Sequence, residues 1–361
     1  MQTDEQLIRR TFELAKKGRG FTSPNPIVGT VIVKDGEIIS EGWHKKFGND
    51  HAERMALKIA GDAAKGATLY VNLEPCDFEG KTPPCTEAII EAGISKVVVS
   101  MEDPNPRVSG EGLKILQEAG IEVVSGVLEN EARQLNRGFV SLMQKGRPWI
   151  TLKMALTTDG FIGDSTGKSQ WITSDGSLKF VRRQRKKHDG VMVGLGTVLK
   201  DDPSLLPEDS DGYIPYRIVL DESLMIPYKA KLVNGDYVDR TIIVTGEAGK
   251  EKRWNEFQKR HASIVKVDRE KMGWIDLKHA FQTLGDEGIT SIYCEGGGRL
   301  AASLVDASLV DELQIFIAPK ILGEGIKSFD GLKKSLDEAI QLQWDEVKKF
   351  GPDVLLKGRL V

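Results

Sequence analysis

His51 and Glu53 stand one residue apart, and two cysteines follow behind prolines. The stretches read His51-Ala52-Glu53, Glu74-Pro75-Cys76 and Pro83-Pro84-Cys85. One imidazole and two thiolates supply the three protein ligands a catalytic zinc takes, with the fourth position open for water. His-x-Glu followed by Pro-Cys and a second cysteine is the pattern of zinc deaminases, whose glutamate moves protons and binds no metal. Zinc lowers the pKa of its water, and Glu53 would take that proton. Glu53 would then deliver protons to a ring nitrogen and to departing ammonia. The target must be an electron-poor, amidine-type carbon, as in a pyrimidine-like base. Each piece alone is weak, since buried cysteines are common in cores. A structural zinc is the lesser option, because one histidine and two cysteines fall short of four ligands. His44 would be a fourth ligand, but it reads better as a substrate contact. The cysteines are nine positions apart rather than three, and the insertion at 77–84 lies at the mouth of the site. Lys81 on it is either a reach toward an anionic substrate group or an ordinary surface lysine.

Elements must carry these residues. Residues 4–17 show helical periodicity, stopped by Gly18 and Gly20. Strands are expected at 27–33 and 38–43 around the turn Lys34-Asp35-Gly36. A helix at 51–60 starts on the His51 motif, a strand follows at 67–73, and a helix at 86–91 starts after Cys85. Strands at 96–100 and 121–124 and helices at 112–119 and 129–143 complete an α/β set. Lys145-Gly146-Arg147-Pro148 reads as a boundary, giving domains 1–146 and 147–361.

The second half alternates again. Strands are expected at 149–155, 191–193, 218–220, 241–245, 263–267, 291–294 and 313–318, with a closing hairpin at 340–347 and 354–361. Helices are expected at 178–187, 249–260, 277–285 and 299–305. Three local signals stand out. Gly167 to Ser174 ends in Thr and Ser, either suited to cap the next helix. Val193 to Pro203 is rich in Gly and Asp. Glu295-Gly296-Gly297-Gly298-Arg299-Leu300 links a strand to a helix, a geometry that presents N–H groups to a phosphate. It is not G-x-G-x-x-G, so no Rossmann domain is supported. A tight strand-to-helix turn explains it equally well.

Composition excludes several classes. A chain of 361 residues exceeds the usual size of one core, so two domains are expected. With 40% hydrophobic and 29% charged residues it is globular rather than disordered. Fifty Lys and Arg against 53 Asp and Glu give a net charge of −3, which offers no electrostatic footprint for nucleic acid. No run of 18 apolar residues suggests a membrane span. The early residues are acidic and lack an apolar stretch, so no signal peptide is expected. Three cysteines, Cys76, Cys85 and Cys294, do not make a disulfide scaffold. A reducing compartment, the cytoplasm, is expected, and homo-oligomerisation stays open.

As a set, these stretches closely resemble the bifunctional riboflavin biosynthesis deaminase–reductase family over essentially the whole chain. They comprise Ser23 to Pro26 with Val28-Gly29, the His51 motif, the two proline-cysteine pairs and Asp103 to Pro106. In the second half they comprise Ser169 to Ser174, Gly196 to Val198 with Asp201 to Pro203, Glu295 to Gly297, and Ala318 to Lys320 with Leu322-Gly323. The resemblance implies a cytidine-deaminase-like α/β/α sandwich followed by a dihydrofolate-reductase-like α/β domain. It implies two reactions on phosphorylated pyrimidines. The first deaminates 2,5-diamino-6-ribosylamino-4(3H)-pyrimidinone 5′-phosphate with zinc. The second reduces 5-amino-6-(5-phosphoribosylamino)uracil to the ribityl compound with NADPH.

By position in the family, His51, Cys76 and Cys85 are zinc ligands and Glu53 the proton donor. Asn25, His44 and Lys81 fall near the first substrate. Ala155, Trp171, Thr197 and Asp201 correspond to cofactor contacts. So do Gly297, Gly298, Arg299, Leu300, Ala301, Ala302 and Ser303, the cofactor phosphate loop. Lys153, Ser169, Arg185, Leu205 and Glu295 correspond to contacts with the second substrate. Three positions depart from the family. Phe78 replaces a histidine. Glu208 replaces an arginine in the segment after Leu205, where a carboxylate would repel a substrate phosphate. Phe161 alters the turn that begins Asp159-Gly160. These departures keep open an active deaminase joined to a weakened or re-specialised reductase, or to a nucleotide-binding domain without chemistry.

Overall fold

A computed structural model describes residues 2–78, 83–106, 108–210, 212–246, 251–270 and 273–361. The chain divides into two compact units, Met1–Gly146 and Arg147–Val361. Lys81 lies outside the described residues. No helix among them is long and apolar enough to cross a membrane.

The first unit runs α1 (Asp4–Ala15), β1 (Gly29–Lys34), β2 (Glu37–Trp43), α2 (Ala52–Ala60), β3 (Thr68–Val71) and α3 (Cys85–Glu91). It continues through β4 (Lys96–Val99), α4 (Glu111–Glu118), β5 (Glu122–Val124), α5 (Glu129–Leu135) and α6 (Arg137–Lys145). Thr3 and Gln6 start α1 as a reciprocal capping box, each side chain accepting from the other's backbone N–H. The five strands order as β2-β1-β3-β4-β5. β1 pairs antiparallel with β2 and β3, while β3, β4 and β5 run parallel.

Two glycines show how the layers stack. Thr30 pairs with Gly42 and Gly29 with Trp43, so Gly29 and Gly42 face opposite sides of the sheet. A β-carbon on Gly29 would sit 2.2 Å from Thr11 O of α1, and one on Gly42 would sit 2.3 Å from Ala52 O of α2. The helices α1 and α2 therefore cover opposite faces, which makes the unit a sandwich with apolar side chains between its layers.

The segment 129–143, expected as one helix, is two. Asn136 breaks it at φ −104° and ψ 22°. Its side-chain oxygen accepts from Ile27 N–H at 2.9 Å and its amide donates to Ile27 O at 3.1 Å. Periodicity cannot register a side chain that holds a distant loop.

The second unit runs β6 (Trp149–Thr157), β7 (Phe161–Asp164), α7 (Asp175–Arg185), β8 (Gly190–Gly194), α8 (Leu195–Asp201), β9 (Tyr216–Leu220), α9 (Lys231–Asn234), β10 (Thr241–Thr245), α10 (Glu251–Lys259) and β11 (Ser263–Lys266). Then come α11 (Leu277–Asp286), β12 (Ser291–Cys294), α12 (Gly298–Asp306), β13 (Glu312–Ala318), β14 (Gly325–Lys327), β15 (Leu342–Phe350) and β16 (Asp353–Leu360). Nine strands form one sheet, ordered β11-β10-β9-β8-β12-β6-β13-β16-β15. All neighbours are parallel except at β16, which pairs antiparallel with β13 and β15. Buried runs such as Thr241 to Thr245 suit strands covered on both faces.

Here too the expectations need correction. Ser174 stands at the N-cap of α7 but makes no capping bond. Its hydroxyl donates to Asp353 at 2.7 Å, and Ser174 N–H and the Ser177 hydroxyl also donate to that carboxylate. The helix start is thereby fastened to the C-terminal hairpin. Residues 195–201 form α8 although they open Leu195-Gly196, and β7 with β14 makes a small extra ladder.

Candidate functional site

The first cluster lies where α2, α3 and the loop after β3 meet. His51 is the extended residue before α2, and Cys85 is the first residue of α3. The Nδ1 of His51 lies 3.5 Å from Cys76 Sγ and 3.3 Å from Cys85 Sγ. The three donor atoms fall within 4.8 Å of one another. Cys85 N–H points at Cys76 Sγ, 3.4 Å away. The neighbouring Cys85 thiol and His51 lower Cys76, while Cys76 and burial push Cys85 up. The hydrogen bond to Cys76 raises His51. One imidazole nitrogen and two sulfurs make a soft donor set that suits zinc.

Glu53 sits in the first turn of α2, only 3% exposed. Its Oε2 has no hydrogen-bond partner. Burial pushes its carboxyl up to about 7. A buried carboxylate oxygen without a partner, beside a metal-ligand set, is suited to carrying a proton. His44 packs edge-on against His51, with ring centroids 5.4 Å apart. Its Nδ1 donates to Asp50 O at 3.1 Å, which leaves Nε2 to accept from Asn25 at 3.5 Å. Burial lowers His44, which favours the neutral ring. Asn25 and His44, which the sequence pairs only through the family, thus meet beside His51. Phe78 is exposed and offers no hydrogen bond in place of the usual histidine.

Sequence reading missed the groups that hold this cluster. Glu74 is buried and accepts from the N–H groups of Asp103, Gly110 and Gly112 at 2.9, 3.0 and 2.9 Å. It fastens the Cys76 loop to the 103–113 loop. Asn72 accepts from Gly29 N–H and donates to Ile27 O, which with Asn136 fixes the end of the Asn25 loop. Gly42 sets the height of α2. A β-carbon there would meet Ala52 O at 2.3 Å and Ala56 N at 2.7 Å, both backbone atoms. Gly42→Ala should therefore destabilise the first unit by about 1–3 kcal/mol, as overpacking does. Because the helix that must move carries His51 and Glu53, deamination should fall more than reduction. An unchanged melting curve and zinc content would rule this out.

The second cluster lies at the carboxyl ends of β8, β12 and β6. From β8 the chain crosses to β9 on one side, and from β12 it crosses to β13 on the other. The seam between β8 and β12 is thus a topological switch point, where open α/β sheets bind ligands. Glu295 follows β12, whose Cys294 pairs with Leu152, so Glu295 and Lys153 are neighbours. Arg185 grips Glu295 at two points, Nε at 2.6 Å and Nη2 at 2.9 Å. Burial lowers Lys153, while Glu295 beside it acts to keep it charged. Gly297 is the N-cap of α12 and offers no side-chain cap. A β-carbon on Gly298 would strike Lys327 O at 2.2 Å. Thr197, in the first turn of α8, lies nearest to Gly297 across the seam.

Other expected residues are brought close, and some play a different part. The Ser169 hydroxyl donates to Asp201 at 3.4 Å. Trp171 is exposed at φ 68°, and its carbonyl accepts from Lys320 at 2.7 Å. Ala301 and Ala302 are buried on the inner face of α12, Ala155 packs on apolar neighbours, and Leu205 lies in a core cluster. Arg299 is exposed and paired with Asp330. Phe161 opens β7, while Asp159 and Gly160 still make the turn. Arg217 is buried and donates to Tyr237 O at 2.6 Å and Thr241 Oγ1 at 2.8 Å, a structural use of its charge.

Residues 1–101 match the cytidine and deoxycytidylate deaminase zinc-binding region, and residues 148–356 match the RibD C-terminal domain. Fold and sites define a two-domain enzyme, a zinc-dependent deaminase joined to an NADPH-dependent reductase. The chain is 42% identical to riboflavin biosynthesis protein RibD of Aquifex aeolicus and 41% identical to that of Escherichia coli, each over 98% of both chains. It belongs to the RibD family of riboflavin-biosynthesis deaminase–reductases. Solved relatives share the fold. Acinetobacter baumannii RibD has a TM-score of 0.89 at 34% identity, covering 99% of both chains. The Thermotoga maritima diaminohydroxyphosphoribosylaminopyrimidine deaminase/5-amino-6-(5-phosphoribosylamino)uracil reductase has 0.87 at 37%, with the same coverage.

Proposed function

We propose that the first unit deaminates 2,5-diamino-6-ribosylamino-4(3H)-pyrimidinone 5′-phosphate and that the second reduces the resulting 5-amino-6-(5-phosphoribosylamino)uracil to its ribityl form. The observation that carries this reading is the partnerless Glu53 Oε2 beside His51, Cys76 and Cys85. Those three residues would hold zinc, whose Lewis acidity lets water attack at neutral pH. Glu53 takes the proton of the attacking water and returns it to the ring nitrogen. It then takes the proton of the newly added hydroxyl and passes it to the departing amine, so that the C–N bond breaks, ammonia leaves and a carbonyl remains. Asn25 and His44 would orient the base, with His44 Nε2 kept as an acceptor by its bond to Asp50 O.

In the second unit NADPH would supply hydride to C1′ of the sugar. The ring C–O bond breaks, and its oxygen takes a proton. Lys153 is the group suited to carry that proton, because burial eases its release. Glu295 and Arg185 would fix the substrate, and Gly297 and Gly298 would offer N–H groups to the cofactor phosphates. The free cysteines favour a cytoplasmic location.

The test supplies the diaminopyrimidine and NADPH to purified protein. One NADPH should be oxidised for each ammonia released. Ammonia without NADPH oxidation, even with the deaminated intermediate added, would overturn the reductase half and leave a deaminase with a lapsed partner domain.

A further inference from the structure

Glu208 stands where the resemblance expects an arginine, yet it does not stand alone. Arg182, on α7, places Nη1 at 3.3 Å from Glu208 Oε2. One turn along, Arg185 pairs with Glu295 and also donates from Nη1 to Leu206 O at 2.7 Å. The loop and the helix are thus fastened at two points. The charge of Arg182 reaches Glu295 and helps to keep that carboxylate ionised.

We infer that Arg182 binds the 5′-phosphate of the reductase substrate, and that Glu208 aims it. This rests on the reductase reading above. Two ion pairs run from α7, Arg182 to Glu208 and Arg185 to Glu295. They differ in what they leave free for an anionic ligand. Arg185 already spends three of its five N–H donors on Glu295 and Leu206, and its side chain is only 14% exposed. Lys153 is lowered by burial at the reacting end of the site. Arg182 remains: its side chain is 45% exposed against 26% for Glu208. A guanidinium has five N–H donors, and the bond to Glu208 is a single long one. The rest fit a phosphate two at a time. A pair this exposed adds little stability, so Glu208 matters by restricting where the guanidinium points. The cation has moved from the loop to the helix, and the carboxylate now holds it instead of opposing the ligand.

The test compares KM and kcat for the deaminated intermediate across variants, with NADPH saturating. Arg182→Gln should raise KM about ten- to a hundredfold, the size of one charge-assisted hydrogen bond, with kcat within about twofold of wild type. The dephosphorylated substrate should show no such change. Arg182→Gln with Glu208→Arg should recover most of the lost KM, because the cation returns on the loop side. Unchanged KM in Arg182→Gln, or an equal rise with the dephosphorylated substrate, overturns the inference while wild-type turnover leaves the reductase reading intact. A double variant as poor as the single overturns it too. A silent wild type removes the reductase reading itself, and the inference with it.

Discussion

Glu53→Gln should abolish deamination while leaving zinc content and fold in place. The glutamine keeps the shape of a side chain that is buried and whose Oε2 has no partner. It cannot take a proton from water or give one to the leaving amine. Positioned general acid–base groups contribute about 10²–10⁴-fold, and ammonia release should fall by at least that range, because Glu53 acts at every proton transfer. The melting temperature should stay within a few degrees of wild type, since no buried hydrogen bond to Oε2 is lost. The second unit is a separate control. NADPH oxidation with the deaminated intermediate should proceed at the wild-type rate. Ammonia release near wild type would remove Glu53 from the mechanism. Loss of both activities would point to misfolding instead.

The candidate zinc ligands and the glutamate beside them were legible because the motifs that contain them are contiguous. His51-Ala52-Glu53 and the two proline-cysteine pairs announce their chemistry at a glance. The groups that hold them were not. Asn136 reaches Ile27 across 109 residues, and Glu74 reaches Gly112 across 38. No local pattern marks an asparagine or a glutamate for such a task. The same blindness joined α5 to α6, since Leu135 and Phe139 keep a helical rhythm across the break. Gly194 and Gly196 hid α8, because glycine is a poor helix former and the contacts that favour a helix there are tertiary. Ser174 looked like a cap, and only the folded chain reveals the better acceptor, Asp353. Glu208 was visible as a departure. Its partner Arg182 was not, because an arginine among Arg183, Arg185 and Lys186 looks like any solvated face.

Cys85→Ser should empty the metal site and silence the first unit alone. The wild-type protein should carry one zinc per chain, and X-ray absorption should report one nitrogen at about 2.0–2.1 Å and two sulfurs at about 2.3 Å. Serine keeps the backbone N–H that points at Cys76 Sγ but offers a hard, far less acidic oxygen. Two ligands, His51 and Cys76, would remain, and zinc should fall well below one per chain. The unit should still fold, because its sheet is packed against helices by apolar side chains from α1 to α5. In that respect it differs from a zinc finger, which has no such core. Stability should drop only by the lost binding free energy at the zinc concentration used. Zinc takes cysteine as thiolate, and Cys85 is pushed up by its neighbour Cys76 and by burial. Apparent zinc affinity should therefore weaken as pH falls, with proton release measurable when the zinc-free protein is titrated with metal. Reduction should survive, because Lys153, Arg185 and Glu295 belong to the other unit. Full zinc content in Cys85→Ser would mean that another residue completes the site, and the ligand set would have to be redrawn. His44 is then the residue to examine, as it already packs against His51.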